Sequence, residues 1–273
     1  MVGDAWPRIP LETRTSILVR ATELADDNSD LDFSALACLA LDDAYPEVRA
    51  RAADALWESN DRSIAALLRG RLDDEDSEVR VAAANSLRQF VGLLEMGQLD
   101  ETEGELLVDA LRARAEDPGE EVEVRASALE SLGACSCPWV GELITHAYDA
   151  EERELRLAAI HAMGDSADER WLDDLYDQFY SDDPEFRFEA VLAAGGIASE
   201  DSVPALIELL RDDDSEIVVA AIEALGEIGG DSAAEALEEY ARDAPAEFSE
   251  LVAVSIDAAR GGLGLIVGSD LEE

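Results

Sequence analysis

Apolar and small residues recur along most of the chain in columns about 31 residues apart, separated by acidic turns. The clearest marker is a column of arginine at positions 49, 80, 125, 156 and 187, with separations of 31, 45, 31 and 31. Residues one before, three after and seven after each of these positions are apolar or small. The same spacing continues at two further positions, where Val218 and Ser249 replace the arginine. Spacings of four keep these positions on one helical face. The pattern predicts seven amphipathic helices, with one 14-residue insertion between the second and third copies.

A second set of shorter apolar segments lies between these helices and predicts a first helix for each repeat. Each copy is therefore a helix–turn–helix unit, which buries its apolar face only by stacking on its neighbours. The predicted first helices cover residues 64–72, 106–115, 140–148, 171–180, 203–210 and 233–240.

The ends of the second helices are marked by residues with known capping preferences. Asp76, Asp183 and Asp214 stand four residues before the arginine column, where a carboxylate accepts backbone N–H bonds as an N-cap. Glycine stands one residue past the last apolar column, where it is expected to allow a C-terminal turn. These glycines are Gly133, Gly164, Gly195 and Gly226.

The expected architecture is an all-α solenoid of about seven helix pairs forming a single domain over residues 1–273. Residues 1–30 are expected to carry a capping helix over 11–24, and residues 31–260 to hold the repeats. An insertion near 90–104 should interrupt the curvature. In the tail at 261–273, an apolar segment is expected to cover the last repeat; it comprises Leu263, Leu265, Ile266 and Val267.

Two phrases resemble HEAT repeats of the short phycobilin lyase-like variety, and the likeness extends over about residues 31–260. They are Leu-Asp-Asp-Glu-Asp-Ser-Glu-Val-Arg at 72–80 and Ile-Val-Val-Ala-Ala-Ile-Glu-Ala-Leu-Gly at 217–226. The resemblance implies an α-solenoid and a ladder in which Asp and Arg link neighbouring repeats, so the column arginines are interpreted as structural. Asp43, Asp74 and Asp212 fit the aspartate position of this ladder, whereas Gly119, Ala150 and Ser181 interrupt it.

Acidic residues outnumber basic ones by 65 to 20, every basic residue being Arg, and the formal net charge is −45. Such a polyanion gains nothing from counterion release on nucleic acid and is repelled by anionic membranes. Because the carboxylates are dispersed, adaptation to high salt is the favoured interpretation, and a docking surface for a basic partner is the alternative. No signal peptide or long apolar segment is recognisable, and three cysteines form no disulfide framework, so a cytoplasmic location is expected.

Candidate catalytic chemistry is sparse. Deoxyhypusine hydroxylase, a HEAT enzyme that the array resembles, binds a di-iron centre through His-Glu pairs beside the arginine column, and Glu189 alone matches here. Cys135 and Cys137, near His146, are interpreted as turn residues, and no metal or cofactor is expected. Phycobilin lyase-like handling of a chromophore is the enzymatic alternative, to be tested by the absorbance of a free bilin.

The second helices of HEAT arrays line a concave surface, and this surface is the predicted partner site. Residues one and five positions after each column arginine form two rows on this surface. In repeats four to six these rows are unexpectedly apolar, and acidic residues border them. The predicted partner-binding residues are Leu157, His161, Phe188, Leu192, Val219, Glu189 and Glu223. The favoured function is a non-enzymatic scaffold or adaptor that grips an amphipathic or partly basic segment of another protein. The alternative is that neighbouring repeats bury these residues.

Overall fold

A computed structural model describes residues 5–28 and 31–261, and within them the regular elements are helices, with no strand. Fifteen α-helices are found in these ranges. They are α1 (Leu11–Asp27), α2 (Ser34–Ala40), α3 (Pro46–Asp54), α4 (Ser63–Arg71), α5 (Ser77–Glu95), α6 (Glu101–Glu116), α7 (Val122–Leu132), α8 (Val140–Tyr148), α9 (Arg153–Asp165), α10 (Leu172–Gln178), α11 (Pro184–Ile197), α12 (Val203–Leu209), α13 (Ser215–Ile228), α14 (Gly230–Tyr240) and α15 (Ser249–Ala259).

The helices form seven pairs in chain order after α1, and the predicted α-solenoid is confirmed. The arginine column lies on second helices, and its apolar neighbours lie on the same helices or directly beside their ends. In the first repeat, for example, Val48, Ala52 and Leu56 are fully buried. The apolar segment predicted at 261–273 lies beyond residue 261, outside the described residues.

The chain divides into two compact units, Met1–Ala159 and Ile160–Glu273. In the first unit α1 packs on α3, and the second helices α3, α5 and α7 stack in series. In the second unit α11, α13 and α15 stack in the same way. Serial stacking of second helices gives each unit its core, as the repeat pattern requires. The single-domain organisation stays a prediction.

The 14-residue insertion lengthens two helices. It makes α5 19 residues long and α6 16 residues long. The added turns are part of the core, because Phe90 and Val91 are fully buried. The insertion therefore extends the packed surface of this repeat.

The predicted aspartate N-caps are confirmed. Asp76, Asp183 and Asp214 each accept a hydrogen bond from the backbone N–H two residues later, at 3.0–3.1 Å. Each bond satisfies one of the N–H groups that a helix start leaves without an intrahelical partner. These local signals fix where α5, α11 and α13 begin.

The expectation that the repeated glycines form C-terminal turns is wrong for three of the four. Gly133 does stand at the end of α7, but Gly164, Gly195 and Gly226 lie inside helices. A Cβ at Gly164 would come within 2.6 Å of Cα of Ala193 on the next second helix. A Cβ at Gly195 or Gly226 would likewise meet a neighbouring helix at 3.0 Å. These glycines allow close approach between helices, and the left-handed turn that ends α11 is made by Ala198, with φ 55°.

The predicted ladder of charged side chains joins several repeats. Asp43 accepts bonds from Arg14 and from Nε1 of Trp6, the latter at 2.7 Å, which ties α1 to the first repeat. Arg49 then donates two bonds to the carboxylate of Asp74, 25 residues further on, at 2.8 and 2.6 Å. Both side chains of this pair are buried.

The same bidentate geometry recurs in the second unit and changes at the insertion. Arg187 donates to both oxygens of Asp212, again 25 residues further on, at 3.0 and 3.1 Å. Arg80 donates to Glu120 and Glu121, each at 2.6 Å, and Gly119 stands at the aspartate position of this rung. The interpretation of Arg49, Arg80 and Arg187 as structural agrees with these contacts.

The contact between Glu120 and Arg80 makes the stability of the fold depend on pH. Burial by itself would raise the pKa of Glu120, but hydrogen bonds from Glu121 and Arg80 outweigh it and lower the pKa from 4.5 to about 2. A carboxyl whose pKa is lower in the folded state stabilises the fold above its unfolded pKa, and this stability is lost as the pH falls through the folded pKa. The contribution of Glu120 is therefore complete above about pH 4.5 and disappears toward pH 2.

We expect Glu120→Gln to destabilise the protein at pH 7 and to make progressively less difference between about pH 4.5 and pH 2. Urea unfolding of both proteins at constant ionic strength over this range measures the effect. Since a glutamine cannot titrate, a difference that stays constant with pH would contradict the assignment.

Candidate functional site

Three of the predicted partner-binding residues are apolar and stand on two second helices of the second unit that pack on each other. Phe188 and Leu192 stand one turn apart on α11, and Val219 stands on α13, which packs on α11. Leu192 is 39% exposed, whereas Phe188 and Val219 are half-buried. We call these three residues the α11 patch. None of the three side chains is fully buried, although α11 and α13 pack on each other.

Acidic residues border the α11 patch. Glu189 lies beside Phe188 in sequence and is half-buried, and its Oε2 is 3.4 Å from Nδ1 of His161 on α9. Glu223 and Glu227 are exposed on α13. The structure therefore places apolar and acidic residues on the same two helices, and their action as one binding surface stays a prediction.

Leu157 belongs to the first unit, and the remaining predicted residues belong to the second. Its side chain is half-buried on α9. The inclusion of Leu157 in one surface with Phe188 and Leu192 stays a prediction.

A second feature appears where the ladder is interrupted. Arg125 would meet its carboxylate 25 residues further on, but that position is Ala150. Its Nε donates to the backbone oxygen of Ala115 at 3.4 Å, and its nearest carboxylate is that of Glu152, at 3.8 Å. Arg125 thus lacks the bidentate carboxylate that Arg49 and Arg187 have.

A cavity of about 260 Å³ opens beside Arg125, between α6, α7, α8 and the start of α9. The guanidinium of Arg112 lies over the ring of Trp139, 4.3 Å from its centroid, and its Nε donates to Glu116 at 2.9 Å. We call this cavity the Arg125 pocket and define it by Arg112, Arg125, Leu129, Trp139, Leu143 and Leu155.

Sequence reasoning missed the Arg125 pocket, although one signal pointed to it. Ala150 was recognised as an interruption of the aspartate column, which implies an arginine without its usual partner. The cavity itself has no signature in the sequence, because its walls come from four helices with no common motif. A missing rung is thus the feature to look for in arrays of this kind.

Cys135 and Cys137 lie close together in the turn before α8. Their Sγ atoms are 2.7 Å apart, and Cys135 is buried. Burial, followed by the neighbouring Cys137, raises the pKa of Cys135 to about 12, so this thiol is protonated at neutral pH. Nδ1 of His146 is 2.8 Å from the backbone oxygen of Glu142. A protonated Cys135 is a poor metal ligand and a poor nucleophile.

The described part of the chain holds neither a metal-binding cluster nor a helix suited to a membrane. Within residues 5–28 and 31–261, no group of three or more His, Cys, Asp or Glu side chains is arranged to hold a metal ion. In the same ranges, no helix combines the length and the apolar character that crossing a bilayer requires.

Comparison with protein families gives a match to HEAT repeats. The match covers residues 34–122 and 172–255, which together make up more than half of the chain. The sequence has no significant match among curated proteins.

The chain is similar to several solved structures of repeat proteins. The complex of CpcE and CpcF of phycocyanin lyase from Nostoc sp. PCC7120 is 21% identical, with a TM-score of 0.59, covering 84% of this chain and 88% of that chain. Human deoxyhypusine hydroxylase in complex with glycerol is 20% identical, with a TM-score of 0.41 and coverage of 93% and 92%. A computationally designed armadillo repeat protein for modular peptide recognition is 18% identical, with a TM-score of 0.42 and coverage of 70% and 98%. At these identities, the likeness concerns the fold alone.

Proposed function

Because the chain belongs to the HEAT-repeat family, we propose that it is a non-enzymatic scaffold or adaptor that binds another protein through its second helices. Repeat arrays present extended surfaces of this kind, and their activity depends on the residues exposed there. The α11 patch is the observation that carries the proposal.

The α11 patch fits a partner side chain that is apolar and can reach between two helices. Leu192 is exposed next to the half-buried Phe188 and Val219, so an incoming aliphatic group would contact all three. An apolar anchor in a partly buried site is the usual source of affinity in a protein interface. In a chain with a net charge of −45, an exposed apolar side chain such as Leu192 offers a partner a contact that the carboxylates cannot make.

The charge around the α11 patch defines the rest of the partner. Glu189, Glu223 and Glu227 would attract a segment that carries basic residues beside its apolar ones. The proposed partner is therefore an amphipathic or partly basic protein segment, and neither nucleic acid nor an anionic membrane matches this charge. Adaptation to high salt remains our proposal for the acidity of the chain as a whole, because carboxylates are dispersed along it.

We expect Leu192→Ser to weaken capture of the partner by about tenfold, since truncating a central apolar anchor costs roughly 1–2 kcal/mol. Quantitative pull-down from the source cell, followed by titration of the recovered protein, measures the effect. Ile207→Ser on α12 is the matched control, because Ile207 is 41% exposed and lies on a first helix. Circular dichroism should show unchanged helix content for both variants.

Equal capture by the wild-type protein, Leu192→Ser and Ile207→Ser would contradict the α11 patch as the binding surface. Phe188→Ser extends the test to a half-buried side chain, and loss of folding there would assign Phe188 to the core. An absorbance shift on adding a free bilin and its apo-acceptor would favour the lyase-like alternative.

A further inference from the structure

We propose that the Arg125 pocket binds a small organic carboxylate, with the carboxylate on Arg125 and the apolar part of the ligand against the pocket wall. This site is independent of the α11 patch, because all of its residues belong to the first unit. The ligand would take the place that an aspartate of the chain occupies in the other rungs.

The intact rungs show what Arg125 lacks. Arg49 and Arg187 each donate two hydrogen bonds to one carboxylate, located 25 residues further along the chain in both cases. A planar guanidinium favours this two-bond arrangement with a carboxylate over contact with a single oxygen. Arg125 has only one long bond to a backbone oxygen, and its Nη1 stays 3.8 Å from Glu152. Its donors are thus available to an external carboxylate.

The side chain of Arg125 is also covered enough from water for an ion pair with a ligand to contribute to binding. Its side chain is 22% exposed, compared with 57% for the surface residue Arg51. A pairing of charges gains strength as water is excluded, whereas a fully exposed pair contributes little. Because Arg125 is partly covered, an ion pair at this position should be stronger than a fully exposed pair and weaker than a buried one.

The rest of the pocket suits an apolar ligand of modest size. Leu129 and Leu155 form a buried floor, and Leu143 and Trp139 line the sides. The volume of about 260 Å³ falls just below the roughly 300–1,000 Å³ of pockets for drug-sized molecules. A ring or a short alkyl chain that carries one carboxylate matches both the polar and the apolar parts.

The charge balance of the pocket also permits an anion. Arg112 and Arg125 offset Glu116 and Glu142, the two carboxylates that line it, whereas Glu152, 3.8 Å from Nη1 of Arg125, is the group that a ligand carboxylate would displace. In a protein with a net charge of −45, a lining with equal numbers of arginines and carboxylates repels an anion less than a purely acidic surface does.

Isothermal titration calorimetry with the full chain tests the proposal, with phenylacetate and hexanoate as probes. We expect a Kd of about 1 mM or lower for at least one of them. Phenylacetamide keeps the ring and removes the charge, and it should bind at least about tenfold more weakly than phenylacetate.

Two variants remove the site in opposite ways. Arg125→Gln removes the guanidinium, and Ala150→Asp supplies the missing carboxylate from the chain itself, so both should weaken phenylacetate binding at least about tenfold. Ala150→Asp should keep or raise the thermal unfolding midpoint, which separates loss of the site from loss of the fold. Arg51→Gln, at an exposed arginine, should bind as the wild type does.

Undiminished binding by a folded Ala150→Asp variant would overturn the proposal. So would equal affinity for phenylacetate and phenylacetamide, because the ligand would then be held by apolar contact alone. Absence of binding by both carboxylates at millimolar concentration would also overturn it.

Discussion

Replacing Arg49 with Ala is expected to lower the free energy of unfolding by about 3–5 kcal/mol, the cost of breaking a buried ion pair from one side. The change leaves the carboxylate of Asp74 buried without the two bonds that Arg49 donates. It also removes the bond from Nη1 of Arg49 to the backbone oxygen of Asp43, at 3.0 Å. Urea denaturation followed by circular dichroism measures the loss.

Arg51→Ala is the matched control for this experiment. Arg51 stands two residues away on the same helix, is 57% exposed and lies 3.4 Å from Asp54. Exposed pairs of this kind contribute about 0–1 kcal/mol, so this variant should unfold almost as the wild type does. If Arg49→Ala costs no more than Arg51→Ala, the ladder does not hold the repeats together.

The second large effect is expected at Gly164. Gly164→Leu should cost about 3 kcal/mol, the upper end of the usual penalty for overpacking, because even a Cβ would lie 2.6 Å from Cα of Ala193. A backbone atom cannot rotate away, so α9 and α11 must separate around the added side chain. Gly164→Ala should give a smaller loss in the same direction, measured by the same urea titration.

Gly92 is the matched control, because alanine there should have the opposite effect on the free energy of unfolding. It also lies inside a helix, α5, and a Cβ there would meet nothing within 4 Å. Gly92→Ala should stabilise the protein by about 0.5–1 kcal/mol, because alanine favours the helix over glycine. Loss of stability at Gly92, or a gain at Gly164, would contradict the close approach of α9 and α11.

The ladder links stability to the proposed small-molecule site. Where an aspartate stands 25 residues after the arginine, as at Asp74 and Asp212, the guanidinium is saturated within the chain. Where Ala150 stands, the guanidinium keeps donors for an external carboxylate. One substitution in a repeat thus changes a structural contact into a candidate ligand contact.

Much of the local structure could be predicted from single residues and their spacing. The aspartate caps at Asp76 and Asp214 were identified because a cap acts on backbone groups only two residues away. The predicted boundaries of α8 were also correct, at Val140 and Tyr148. The role of Gly164 was not predicted correctly, since a glycine near a helix end fits both a terminal turn and a close contact. The contact depends on Ala193, which is 29 residues away in sequence.

The sequence by itself determined the number of repeats, the helices and the core columns. The period of 31 residues marks the repeats, and the period of about four residues shows which positions share a helical face. Only the tertiary structure decided which side chains of that face stay exposed, as Leu192 does. It also decided that the interrupted rung at Arg125 stands beside a cavity. The period of a pattern determines to which side of its helix a residue points. Exposure and cavities depend instead on the distances between helices, and these differ from one repeat to the next.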